Sequence, residues 1–429
     1  MGCLLPKGML LGAATAATQI EGGKVNSNWN EWSNQGRILD GSTCERACDH
    51  WNRWKEDLDL LASMKAETYR FSIEWARIEP EEGKFDASAI AHYREEISYM
   101  KKLGIVPLMT LHHFSNPLWF ERKGAFAKTE NVRFFLDFVK EAVKDFGDLV
   151  SDYVTINEPN VYALNGYAGQ GWPPDEKSLT QAARVLNVMA GCHIRAYERI
   201  HRMREAMGYK DTRVGFAMHM RAFTAKNQEN PVDRTSAALE KSLFQNKLLR
   251  AFGNGDFRVP YRNLGGFEKK NYCDFIGINY YTRSVVSKVG DNLTREGAPK
   301  SDFGWEIYAA GLTECVREAQ AIIPGIPVWI TENGICDSED AFRCLFLYEQ
   351  FREIADAHLS IERYYYWSFL DNFEWMDGES RRFGLVRVDY PTEKRTVNKS
   401  GRFFTEIVDH HGISDNMYDR YVRGEEYHL

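Results

Sequence analysis

The sequence predicts an α/β protein, a (β/α)8 TIM barrel built by residues 1–429 as a single domain with loop insertions. Three observations lead there: eight short β-rich runs, amphipathic helical stretches between them, and polar clusters that close several of the runs. The runs are GMLLGA (8–13), TYRFSIEW (68–75), IVPLMTLHH (105–113), YVTINEP (153–159), RVGFAMHM (213–220), CDFIGINYY (273–281), IPVWITENG (326–334) and RYYYWSFLDN (363–372). Between them lie stretches such as NRWKEDLDLLASMKA and NVRFFLDFVKEAVKDFG, whose apolar residues return every three or four positions with charges between. Eight strand-helix units close into a parallel barrel more readily than they form an open sheet. A barrel with loop insertions absorbs 429 residues as one unit, and no Pro/Gly/Ser-rich linker or close repeat marks a boundary.

Composition removes several classes of function. A formal charge of -7 and the lack of a basic stripe argue against a nucleic-acid partner. No apolar run approaches the ~18 residues of a membrane span. The opening MGCLLPKGMLLGAATAATQIEGG lacks the basic region of an export signal and reads as the first strand and its loop. With no export signal, the eight scattered cysteines are expected as reduced thiols, which points to the cytoplasm. Cys44, Cys48 and His50 come near a metal-ligand spacing but have no second half-site, so no metal is expected.

Two carboxylates stand out by position. Glu158 in TINEPN ends the fourth run, before a proline that cannot continue a ladder. Glu332 in ITENG ends the seventh, with Gly334 expected to free the turn behind it. The fourth and seventh strands lie nearly opposite each other in a closed eight-strand barrel, and strand carboxyl ends form its catalytic face. Glycoside hydrolysis uses such a facing pair, one attacking the anomeric carbon and one protonating the leaving oxygen.

The chain also resembles family 1 glycoside hydrolases, the β-glucosidase family, from about residue 5 to about residue 412. The markers occur in order: GAATAATQIEG, ACDHWNRWKEDLDLL, YRFSIEWARIEP, LHHFSNPLWF, TINEPN, DFIGINYYT, DFGWEIY, ITENG and YYYWSFLDNFEWMDGESRRFGLVRVDY. The resemblance implies that Glu158 is the acid/base and Glu332 the nucleophile. It implies a sugar pocket of Gln19, His113, Asn157, Glu374 and Trp375, with Trp367 as the stacking platform beneath the ring. It makes Arg70 and Tyr281 the pair that holds the nucleophile, with Tyr281 also lining the pocket and Asn279 supporting the same cluster. Of the adjacent His112 and His113, alternation admits only one to the pocket, and the motif selects His113.

The chain departs from the common family pattern at Leu11, where Trp is frequent, at Phe114, where HW is usual, and at Ala309-Ala310, where WEIYPEG is usual. It is also short between residues 222 and 264, which suggests a wider substrate entrance.

The function implied is a retaining exo-β-glycosidase acting on small-molecule β-glucosides, or the related galactosides and fucosides, with no cofactor. Alternatives are a 6-phospho-β-glycosidase, an inactive sugar-binding barrel and a transglycosylase. Arg381 and Arg382 are the feature that could favour a phosphate, and they are read here as a structural pair. Two close carboxyls cannot easily both ionise, so the one beside Arg70 is expected to titrate low and the other high.

Overall fold

A computed structural model describes residues 2–428 of the chain. Eight parallel strands close into a barrel: β1 (Leu10–Ala14), β2 (Thr68–Ser72), β3 (Val106–His112), β4 (Asp152–Asn157), β5 (Arg213–Ala225), β6 (Phe275–Val286), β7 (Val328–Asn333) and β8 (Ile361–Trp367). The last strand pairs with the first, Ala14 opposite Trp367, so no edge is left open. Each of the eight runs overlaps one strand. Two strands outrun the sequence expectation: β5 and β6 continue as a paired extension in which Ala222 to Ala225 face Arg283 to Val286. The helix Pro231–Lys241 packs there, with Ala237 buried against Ala225 and Val286.

Strand alternation divides the apolar side chains. Tyr364 and Tyr366 of β8 face the helices, whereas Arg363, Tyr365 and Trp367 point inward. Ala14, Leu108, Val154, Ala217, Phe275, Trp329 and Tyr365 fill the interior, and the rings of Phe275 and Trp329 stack at 3.6 Å. Below them Arg363 pairs with Asp152 at 2.6 Å while lying over the Trp329 ring. The barrel interior is a packed core.

The helical stretches form as their periodicity predicts. The helix Val132–Phe146 buries Phe134, Phe135, Phe138, Val139, Ala142, Val143 and Phe146, leaving its charged residues on the outer face. His50 opens the helix His50–Ser63, and both its ring nitrogens are taken by carboxylates, Asp57 at 2.8 Å and Glu96 at 3.1 Å. The Cys48 thiol donates to the Asp371 carbonyl. That geometry gives the Cys44, Cys48 and His50 group no shared focus.

Candidate active site

At the carboxyl-terminal rim the strands depart from strict alternation, and this departure builds the site. Val154 lies in the barrel interior, yet Asn157, three residues on, enters the pocket; the pairing of β4 with β5 shifts between them. The same happens on β3. Counting by twos from Leu108 and Thr110 would bring His112 inward, but His112 packs against Phe126, Phe135 and Tyr162 and bonds Asn116 at 3.0 Å. His113 enters instead, its Nε2 3.1 Å from the Asn157 amide nitrogen.

Glu158 follows β4 with a left-handed φ of 41° and caps the helix Pro159–Tyr167, whose proline sits where no amide hydrogen is needed. A non-glycine residue held there stores of order 1–3 kcal/mol, a cost found where surrounding structure fixes a side chain for a purpose. Its Oε1 accepts from Asn279 Nδ2 at 2.8 Å.

Glu332 lies on β7. Its Oε1 accepts from Arg70 Nη1 at 2.5 Å and its Oε2 from the Tyr281 hydroxyl at 2.6 Å. The residue behind it differs from expectation: Gly334 has no left-handed backbone. A Cβ there would lie 1.7 Å from the Trp367 carbonyl oxygen, so glycine is required by the close approach of two strands.

Arg70, fully buried on β2, ties the two sides together. Its Nη2 donates to Asn157 Oδ1 at 2.6 Å, its Nε to Thr110 Oγ1 at 3.1 Å, and its Nη1 also to the Thr331 carbonyl. Asn279 Nδ2 donates to the same Asn157 oxygen at 3.0 Å, and Asn279 Oδ1 accepts from Thr331 Oγ1 at 2.6 Å. An unbroken chain of hydrogen bonds therefore runs from Glu332 through Arg70, Asn157 and Asn279 to Glu158.

The remaining sequence-predicted residues gather around this chain. Gln19 Nε2 donates to Asn372 Oδ1, the Phe373 carbonyl and Glu374 Oε2, at 3.0, 3.0 and 3.3 Å, while its Oε1 is buried without a partner. His113 stacks between Trp367 and Trp375, with centroids 5.8 and 6.1 Å away, and its Nδ1 is likewise unpartnered. Buried polar atoms without partners are costly, so Gln19 Oε1 and His113 Nδ1 mark places for a polar ligand. Phe114, where the family has Trp, has a φ of 67° and packs its ring on Trp172 and Trp375.

Arg381 and Arg382 are both engaged. Arg381 bonds Asp377 and the Asp302 carbonyl; Arg382 bonds Asp371 at 2.8 Å and the Val388 carbonyl.

The electrostatics correct one expectation. Burial pushes the Glu332 carboxyl up to about 7 despite Arg70, and burial also pushes Glu158 up to about 7 against the Asn279 hydrogen bond and Arg70. Arg70 does not hold Glu332 low, because taking a carboxylate out of water outweighs one guanidinium that is itself shared. Glu374 is pushed up to about 8, by burial first and then by the charges of Asp377, Glu332 and Glu158. Burial, with Arg70 nearby, keeps His113 neutral.

Sequence reasoning missed two residues, His219 and Arg221 on β5. His219 Nδ1 lies 3.5 Å from Glu158 Oε1, and Arg221 Nε donates to His219 Nε2 at 2.9 Å. A His and an Arg closing the apolar run VGFAM were the available signal: polar residues at a strand's carboxyl end.

A closed barrel whose fourth and seventh strands bring two buried carboxyls to its carboxyl-terminal mouth defines a hydrolytic class of enzyme in which carboxyl groups do the chemistry. The family model for glycosyl hydrolase family 1 matches residues 2–413. β-Glucosidase A of Thermotoga maritima is 31% identical, over 96% of this chain and 99% of its own. Among solved structures, a β-glycosidase from Pyrococcus horikoshii superposes with a TM-score of 0.88 at 34% identity, covering 98% of each chain. A β-glucosidase from Thermotoga maritima in complex with deoxynojirimycin gives 0.88 at 29% identity, over 96% of this chain and all of that one. The chain belongs to glycosyl hydrolase family 1 and is a glycoside hydrolase.

Proposed function

We propose that residues 1–429 act as one catalytic domain, a retaining exo-β-glycosidase that removes β-linked glucose, or the related galactose and fucose, from the non-reducing end. The observation that carries this reading is the hydrogen-bond chain from Glu332 to Glu158, in which one carboxylate is held by a guanidinium and a phenol and the other by a single amide. Burial pushes both carboxyls up alike, and the one that accepts from a guanidinium and a phenol gives up the first proton of the pair. Glu332 thus serves as the nucleophile, and Glu158 keeps the proton of the coupled pair.

In the first step Glu332 forms a bond to the anomeric carbon as its bond to the aglycone oxygen breaks, and the Glu158 proton goes to that oxygen. In the second step water attacks the same carbon, Glu158 takes its proton, and the bond to Glu332 breaks to free the carboxylate. Gln19, His113, Asn157, Glu374 and Trp375 would hydrogen-bond the sugar hydroxyls. Trp367, pointing inward from β8, would support the apolar face of the ring. No step calls on a cofactor. The eight free cysteines suit the cytoplasm, and among the described residues no helix is long and apolar enough to cross a membrane.

A 2-deoxy-2-fluoroglucoside tests the assignment by trapping the covalent intermediate. Mass spectrometry should place the label on Glu332, and product analysis should show retained β configuration. A label elsewhere, or an inverted product, would end the proposal.

A further inference from the structure

We propose that His219 is a positioning residue for Glu158: locked by Arg221 with its proton on Nδ1, it presents an N–H to Glu158 Oε1 and so confines the transferable proton to Oε2. This rests on the reading of Glu158 as the acid/base.

The argument begins with what an arginine can do. The Arg221 Nε–H only donates, so the His219 Nε2 that it meets at 2.9 Å must offer a lone pair. A singly protonated imidazole that accepts at Nε2 carries its hydrogen on Nδ1. Double protonation is opposed by burial, since His219 is 5% exposed, and by the adjacent guanidinium. The Nδ1–H then has no partner among the described residues except the carboxyl 3.5 Å away. That distance is long for a hydrogen bond, and a small closure on substrate binding would complete it.

The charge of Glu332 pulls the other way, favouring protonation of the ring, and burial with Arg221 outweighs it. Phe244 and Tyr281 flank the ring with centroids 5.7 and 6.0 Å away. The Tyr281 hydroxyl is committed to Glu332. Arg221 also bonds Ser284, and the charges that reach it come from Glu158 and from Glu240. Apart from Glu158, none of these groups lies where it accepts a hydrogen bond from Nδ1.

The consequence falls on the acid. Glu158 Oε1 faces two donors, Asn279 Nδ2–H and His219 Nδ1–H, neither of which can accept a proton from it. Oε2 takes no hydrogen bond from the described residues. The proton therefore resides on Oε2, the oxygen free to reach the leaving group, and Oε1 stays stabilised when Glu158 becomes a carboxylate. With Arg221 removed, the imidazole can move its hydrogen to Nε2 and turn a lone pair toward Oε1, which favours the protonated carboxyl.

The test compares pH profiles of kcat/KM for an aryl β-glucoside in the wild type, His219→Phe, His219→Asn and Arg221→Met. His219→Phe and Arg221→Met should move the alkaline limb up by about half a unit or more, about a threefold change in the protonated fraction on that limb. His219→Asn, which keeps an amide N–H near the Nδ1 position, should restore most of the wild-type limb. In parallel, ¹⁵N spectra of histidine-labelled wild type, with the His219 signal identified by its loss in His219→Asn, should show the Nδ1–H tautomer. An Nε2–H or doubly protonated ring, or an alkaline limb unmoved in His219→Phe, overturns the proposal. Glu158→Ala separates the two levels of failure. If it harms aryl glucosides with good and poor leaving groups equally, the reading of Glu158 itself is wrong. If it spares good leaving groups while His219→Phe leaves the limb in place, only the role of His219 falls.

Discussion

Tyr281→Phe isolates one hydrogen bond of the nucleophile. The phenol donates to Glu332 Oε2 at 2.6 Å, and its ring packs on Trp305, Phe383 and His219, contacts that phenylalanine keeps. A hydrogen bond to a charged group contributes roughly 1.5–3 kcal/mol, and each pKa unit corresponds to about 1.4 kcal/mol. Because Arg70 still holds Oε1, we expect the lower end of that range, an upward shift of about one unit in the Glu332 carboxyl. The direction follows from the chemistry. Glu332 attacks as the carboxylate, so activity is lost as pH falls through its pKa, and a higher pKa moves that loss to higher pH. The assay is kcat/KM for 4-nitrophenyl β-glucoside from about pH 4 to 9, with thermal unfolding as a control for folding. One pH unit below the wild-type midpoint, the variant should lose about a further tenfold. An acid limb that stays in place or moves down would refute the reasoning: either Tyr281 does not donate to the nucleophile, or Glu332 does not set that limb.

Two further outcomes follow from the charges of the pocket. Glu374 has a folded pKa of about 8 against an ordinary 4.5, so the stability it lends is present below 4.5 and lost as pH rises through about 8. Glu374→Gln should therefore narrow the drop in Tm between about pH 5 and pH 9, and calorimetry showing an unchanged or wider drop would contradict that sign. A sugar 6-phosphate would bring an anion beside Glu374, and above about pH 8, where Glu374 is a carboxylate, the two repel, with the Arg381 and Arg382 forks both engaged elsewhere. Even a half-screened repulsion of ~2 kcal/mol there makes 4-nitrophenyl β-glucoside about thirtyfold better than its 6-phosphate in kcat/KM, and preference for the phosphate would sink our account of the sugar pocket.

The sequence by itself determined the barrel, because eight alternations of β-rich and amphipathic runs leave few other ways to bury their apolar faces. It also singled out Glu158 and Glu332, since the carboxyl ends of barrel strands form the catalytic face and both carboxylates stand there. Proline after Glu158 was legible as a strand stop, and the structure adds that it starts a helix. What the tertiary structure decided were matters of rim geometry and of long-range proximity. Alternation could not choose correctly between His112 and His113, because the strand ends depart from period two exactly where the site forms, and only the motif resemblance selected the right one. Gly334 looked like a turn residue, whereas its hydrogen side chain makes room for the backbone of Trp367, a residue 33 positions on. The balance between Arg70 and burial at Glu332 was invisible for the same reason: how much water a carboxylate loses depends on every strand around it. His219 and Arg221 read as the end of an ordinary strand until the fold set them against Glu158, a contact 61 residues away that no local pattern records.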